Sequence, residues 1–213
     1  MAGDYFGWDD NSRRFRNLET GRYVSERQVR DGVDRVADLM SARLGQSSAR
    51  FRAGEITAAQ WQSDMLATIK EGHISAALAA YGGRDAMTPA AWGTVGQLIR
   101  REYAYARAFA ADVLNGRQRQ NGRMDARARL YGQSIRGTYE NIRRRESANA
   151  GLRYERNVLH ASESCRECLS ASGQRWVPIG TLPPVGSRTC RSNCRCTLAY
   201  TNNPQAETAT EAA

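Results

Sequence analysis

The chain has 213 residues, 41% of them hydrophobic and 25% charged, ordinary globular usage that excludes a wholly disordered polymer and a large multidomain enzyme. No apolar run approaches the roughly 20 residues needed to cross a bilayer, and the opening MAGDYFGWDD is acidic and aromatic rather than basic and then apolar, so a soluble, unexported protein is expected. The formal charge is +9 and 30 of the 31 basic residues are Arg, a side chain suited to bidentate phosphate or carboxylate contacts, although a GC-rich genome leaves the same bias.

Residues 1–21 show no clear periodicity, yet Tyr5, Phe6, Trp8 and Phe15 are too many aromatics for an idle linker. They are expected to form an arm that docks on a partner or on the body of the protein. Three helix starts follow, each with the same local chemistry. Val24-Ser25-Glu26-Arg27-Gln28-Val29 reads as a Ser N-cap with Gln at N3 and apolar residues at N′ and N4. Ile56-Thr57-Ala58-Ala59-Gln60-Trp61 repeats it, and Met87-Thr88-Pro89-Ala90-Ala91-Trp92 keeps the cap and places Pro at N1, where its missing N–H costs nothing.

The first helix is expected from Ser25 to about Leu44, with Val29, Val33, Val36, Met40 and Leu44 on one stripe and Gly45 just past its end. The second runs from Thr57 to about Tyr81, has a wide apolar arc that marks it as the most buried, and stops at Gly82-Gly83. The third runs from Thr88 to about Leu114 and the fourth from about Arg123 to Asn149, the latter weakened by Gly132 and Gly137. The expected fold is therefore mainly α, with a helical bundle over residues 22–150.

From Gly151 the periodicity ends, and Pro and Gly punctuate short segments such as Trp176-Val177 and Thr197-Leu198-Ala199-Tyr200. Residues 151–200 read as a small turn-rich module with short strands, and residues 201–213 as a flexible tail. All five Cys fall here, as Cys165-x2-Cys168 and Cys190-x3-Cys194-x-Cys196. An odd count without an export signal argues against a disulfide framework. Two close pairs separated by a loop suit a tetrahedral thiolate site instead, since each turn points two sulfurs at one ion. Zinc is the expected cofactor, with Cys165, Cys168, Cys190 and Cys194 as ligands and Cys196 or His160 as a substitute. The module has too few large hydrophobes to fold alone, so the metal would supply the missing free energy.

A nucleophilic Cys needs a His base, and the chain has only His73, inside the second helix, and His160. A closed four-thiolate site leaves no open position for substrate, and no HExxH, GxSxG or phosphate-binding glycine loop occurs, so no catalytic residue and no small-molecule substrate are expected. Between Arg100 and Arg156 there are 14 Arg against 6 Asp and Glu. Arg127, Arg129, Arg136, Arg143, Arg144 and Arg145 lie in the fourth helical segment with Tyr131 and Tyr139 nearby, and they would track a phosphate backbone through sequence-independent contacts or else form a solvated, ion-paired face.

Two stretches resemble phage minor head, or head-morphogenesis, proteins related to the Mu F-like minor head protein. Cys165-Arg-Glu-Cys168, Gly173-Gln-Arg-Trp176-Val-Pro178, Leu182-Pro-Pro-Val-Gly186 and the closing Asn193-Cys194-Arg195-Cys196 followed by Leu198 look like that family's terminal Cys-rich module. Gly54-Glu-Ile-Thr57-Ala-Ala-Gln-Trp61 and Met87-Thr88-Pro89-Ala-Ala-Trp92-Gly93 look like the helical region before it. Many relatives carry a His a few positions ahead of the closing motif, where this chain has Cys190. The resemblance implies a structural virion component inside the capsid near the portal, assembled in the host cytoplasm. Its implied partners are portal and capsid proteins and packaged double-stranded DNA. The alternative is a nonviral zinc-containing nucleic-acid-binding module.

Overall fold

The structure, a computed structural model, describes residues 6–9, 11–12, 14–160 and 163–205. The chain is mainly helical, with a C-terminal region of short strands around the Cys cluster. It divides into two compact units, one ending at Tyr139 and the other beginning at Glu140.

The first unit opens with β1 (Phe6–Asp9), β2 (Arg14–Asn17) and β3 (Tyr23–Val24), an antiparallel sheet in that order. The register sets Trp8 opposite Phe15 and Phe15 opposite Val24, and the Trp8 and Phe15 rings meet edge to face at 5.0 Å. The sheet docks on the unit's own helices: Trp8 N donates to Gly82 O at 2.8 Å. Gly82, at φ 90°, ends a helix in the left-handed conformation, and a Cβ there would strike Trp8. The expected arm is thus a small sheet over its described residues; Tyr5 lies outside them. Strands of two to four residues are too short to leave an alternating pattern in the sequence.

The three capped helices begin where their local chemistry dictates. α1 (Glu26–Arg52) carries a capping box in which Gln28 N donates to Ser25 Oγ at 3.2 Å and Ser25 N donates to Gln28 Oε1 at 2.8 Å. α2 (Ala58–Tyr81) repeats it with Thr57 and Gln60. α3 (Pro89–Leu114) is capped by Thr88, whose Oγ1 accepts from Ala91 N at 3.1 Å.

Two helical boundaries differ from expectation. α1 continues past Leu44 to Arg52 with Gly45 in its interior, where the missing Cβ makes room for the Arg129 side chain. The end comes instead at Ala53 and Gly54, the latter at φ 76°. The fourth segment is two helices, α4 (Gly122–Gln133) and α5 (Ile135–Asn149). Ser134 Oγ donates to Tyr131 O at 2.8 Å, taking a carbonyl that a continuous helix would bond to Ile135 N.

The core of this unit gathers Leu44, Trp61, Met65, Ile69, Phe109, Val113 and Met124. Trp61 stacks on Phe51 at 4.9 Å and meets Phe109 edge to face at 5.5 Å, while its Nε1 donates to Ser48 Oγ at 3.0 Å. Every part of that large ring is therefore matched, including its one polar atom.

The second unit holds β4 (Tyr154–Val158), α6 (Arg166–Gly173), β5 (Val177–Pro178) and β6 (Thr197–Thr201), with an antiparallel sheet in the order β5-β4-β6. It starts within α5, not at residue 151, because the last turns of that helix are bonded to the Cys module. Leu198 N donates to Glu140 Oε2 at 3.1 Å, Asn141 Nδ2 to Val185 O at 3.4 Å, and Arg144 Nη2 to Leu182 O at 2.7 Å. The tail expected over residues 201–213 begins as the last residue of β6, and Asn202 Oδ1 accepts from Arg153 N at 2.9 Å. Residues 206–213 lie outside those described.

Candidate metal centre

The five sulfurs are delivered by two short pieces of backbone. Cys165 is the N-cap of α6, and Cys168 sits one turn inside it, 2% exposed. Cys190 leads into a single 3₁₀ turn, Arg191–Asn193, in which Arg191 takes φ 46°; Cys194 closes that turn in an extended conformation, and Cys196 follows just before β6. Reversing the chain within three residues turns Cys190 and Cys194 toward the same point.

All five thiols are free. They form two triads, Cys165-Cys168-Cys190 and Cys168-Cys194-Cys196, whose sulfurs lie within 4.8 Å of one another, and Cys168 belongs to both. Cys168 Sγ is 3.5 Å from Cys190 Sγ and 3.8 Å from Cys194 Sγ. Four thiolates about 2.3 Å from one tetrahedral ion stand about 3.8 Å apart. The cluster is therefore able to hold a metal ion. The four expected ligands are divided between the triads, Cys165, Cys168 and Cys190 in one and Cys168 and Cys194 in the other, and Cys196 completes the second.

His160 does not join. It is exposed, and its Nε2 pairs with Thr197 Oγ1 at 2.9 Å, because the end of β4 sets it beside the first residue of β6 and away from the sulfurs.

The sulfurs influence one another strongly. The hydrogen bond from the Cys196 thiol pulls Cys194 down to about 5 against burial. Cys196 is pushed up by that same bond and by burial. Burial, reinforced by its sulfur neighbours, raises Cys190. Burial raises Cys168 although Arg188 opposes it, and Cys165 is lowered because hydrogen bonds from Cys168 and Cys190 outweigh burial. Packing so many ionisable sulfurs together favours partial ionisation until a cation compensates them.

The surrounding shell is small and largely polar. Ala171, Leu182, Val185 and Leu198 are its buried apolar members. Along β4 the inward residues are Glu155 and Asn157. Asn157 Nδ2 donates to Cys168 O at 3.2 Å, and Asn157 Oδ1 accepts from Arg188 Nη1 at 2.6 Å. Glu155, 0% exposed, accepts from Arg144 through both carboxylate oxygens, and its Oε1 also accepts from Gly180 N at 3.1 Å and Leu182 N at 3.0 Å. No motif pointed to Asn157, Arg188 or Glu155. The one usable signal was the alternation Tyr154-Glu155-Arg156-Asn157-Val158, which reads as a strand with a polar inner face.

The six arginines expected on nucleic acid divide. Arg136 is 7% exposed and pairs with Asp34 and with Asp38, the latter at 2.9 Å. Arg144 pairs with Glu155. Both guanidinium groups are largely covered and already paired, Arg136 with two aspartates whose side chains are exposed and Arg144 with the buried Glu155, so neither is presented to phosphate, which corrects their assignment. Arg127 is half-buried over the Phe109 ring, 4.6 Å from its centroid, and bonds Asp112 at 3.2 Å. Arg129 and Arg145 are exposed and Arg143 is half-buried. Arg127, Arg129 and Arg136 fall in the first unit, and Arg143, Arg144 and Arg145 in the second.

His73, set in α2, is fully buried and pairs through Nδ1 with Thr138 Oγ1 at 2.8 Å. Burial first, and then the Arg101 charge, bring it down to about 4, so it is a neutral core residue. Among the described residues no helix is long and apolar enough to cross a membrane. Comparisons with known families, with curated proteins and with solved structures find no match.

Proposed function

We propose that this chain is a structural binding protein whose C-terminal module is closed by one zinc ion, and that it serves as a minor head protein of a tailed phage, associated with the portal inside the capsid and touching packaged DNA. The observation that carries the metal reading is the crowding of sulfurs around Cys168, whose distances of 3.5 Å to Cys190 and 3.8 Å to Cys194 are near those between thiolates on one tetrahedral ion. A multi-iron cluster would hold its cysteines further apart. Four or more thiolates around one ion leave no open position, which suits a structural rather than a catalytic metal.

The placement in a phage head rests on the Cys-rich and helical motifs quoted above. Zinc-dependent folding of the second unit and the basic charge of the chain are compatible with it. Contacts with DNA then fall to Arg129, Arg143 and Arg145, with Arg127 as a weaker contributor because its guanidinium lies over the Phe109 ring and bonds Asp112.

Metal analysis of protein purified without chelator tests the first part, and about one zinc per chain is expected. Zinc near zero removes it. Mass spectrometry of purified particles tests the second: the chain should appear in few copies alongside the portal. Absence from particles, together with tight salt-dependent DNA binding by the isolated chain, would favour a nonviral nucleic-acid-binding module instead.

A further inference from the structure

Arg188 is 1% exposed, the most deeply buried arginine among the described residues. A guanidinium moved from water into the interior is costly unless an anion faces it. The other two buried or nearly buried arginines obey this rule, Arg136 through Asp34 and Asp38 and Arg144 through Glu155. Arg188 has no carboxylate partner among the described residues. Its Nε and Nη2 donate to Pro183 O at 3.1 and 2.9 Å, and its Nη1 to Asn157 Oδ1 at 2.6 Å. All of these acceptors are neutral. The remaining neighbour is Cys168 Sγ, 3.7 Å from Nη1, the sulfur common to both triads.

The arrangement closes on itself. Cys168 O accepts from Asn157 Nδ2, Asn157 Oδ1 accepts from Arg188, and Arg188 donates back to the Cys168 sulfur. With two edges of its fork held by Pro183 and Asn157, the guanidinium has one orientation, and in that orientation it faces sulfur.

We propose that Arg188 is the charge partner of the thiolate centre, a positioning residue whose N–H···S contact to Cys168 offsets part of the negative charge that four thiolates leave on a divalent ion. The inference rests on the metal-binding reading above. It explains why a cation is buried where no acid answers it: the anion is the loaded centre. It also separates Cys168 from the other four sulfurs as the one whose charge is shared between the metal and a fixed donor.

The test uses the full chain loaded with cobalt(II), with affinity read by chelator competition and the environment of the sulfurs by the thiolate-to-cobalt charge-transfer band. Arg188→Met should weaken cobalt binding about 10- to 100-fold, the range typical for loss of an outer-shell partner, and shift the band. Arg188→Lys, which keeps the charge without the fork, should recover part of that loss. Wild-type affinity and an unmoved band in Arg188→Met would overturn the proposal, as would a Lys variant no better than the Met one. Should Arg188→Met fail to fold, Asn157→Asp supplies a carboxylate of the same size that draws the guanidinium charge away from sulfur. About 10-fold weaker binding with a shifted band is then expected, and unchanged values overturn the proposal. A wild-type chain that takes up no cobalt removes the metal reading itself, an outcome distinct from any of these.

Discussion

Replacing Glu155 with Ala should destabilise the second unit, while leaving the first intact. Glu155 is fully buried and its carboxylate satisfies the Arg144 guanidinium and the amides of Gly180 and Leu182. Removing one member of a buried ion pair costs about 3–5 kcal/mol, since the other charge is left without compensation. Each amide stranded without an acceptor costs about 1–3 kcal/mol more, and because these penalties overlap a loss of at least about 4 kcal/mol is expected. At roughly 0.05–0.15 kcal/mol per residue, a unit extending from Glu140 to the C-terminus has about 4–11 kcal/mol in hand. Hydrogen exchange across residues 140–205, measured on the metal-loaded chain, should therefore show markedly lower protection in Glu155→Ala. Glu155→Gln retains an acceptor for the amides and should lose less, and Arg144→Leu combined with Glu155→Leu should lie nearer the parent than either single deletion. A Glu155→Ala protein within about 1 kcal/mol of the parent would refute the idea that this carboxylate clasps the loop between the two cysteine pairs.

Chelation of the parent protein should itself lower exchange protection in residues 140–205 and spare the core around Trp61, which has its own apolar packing; uniform loss across both units would contradict this. His73 titrates near 4 in the folded chain against an ordinary value of 6.5. The unfolded chain therefore binds the extra proton first, and stability should fall as pH drops from about 6.5 to about 4 and then level off, by up to about 3 kcal/mol. Denaturant titrations across that range, compared with His73→Asn, check it: the two proteins should show the same slope only if the buried imidazole is irrelevant. Replacing Arg129, Arg143 and Arg145 together with Gln should flatten the dependence of DNA affinity on salt by about 0.9 per lost phosphate contact, measured as the slope of log K against log salt. Arg136→Gln, by contrast, should destabilise the first unit, because its buried guanidinium bonds Asp34, Asp38 and Gln133.

The cysteine site was legible because metal-ligating chemistry is carried by residue type and short spacing. Cys165 and Cys168 share a helical turn, and Cys190 and Cys194 share a 3₁₀ turn. What spacing left open was the set that completes it. His160 and Cys196 both lie just beyond the end of the strand pair β4 and β6 where Val158 faces Thr197, and there His160 pairs with Thr197 while Cys196 reaches the sulfurs. The arginine run was the least legible feature. Counting charge along the chain treats every Arg alike, whereas Arg136 answers acids about a hundred residues away in sequence and Arg144 a carboxylate on the neighbouring strand.

Sequence alone determined where α1, α2 and α3 begin, because a cap is a hydrogen bond between a side chain and a backbone amide three residues on, complete before any tertiary contact forms. It also determined that five thiols would crowd into one small module. Tertiary packing decided the rest: Gly45 lies inside a helix with Arg129 packed against it, and Arg188 is buried facing a sulfur. A glycine or an arginine has no fixed role until its neighbours in space are known, since what it costs or contributes depends on the groups brought against it from distant parts of the chain.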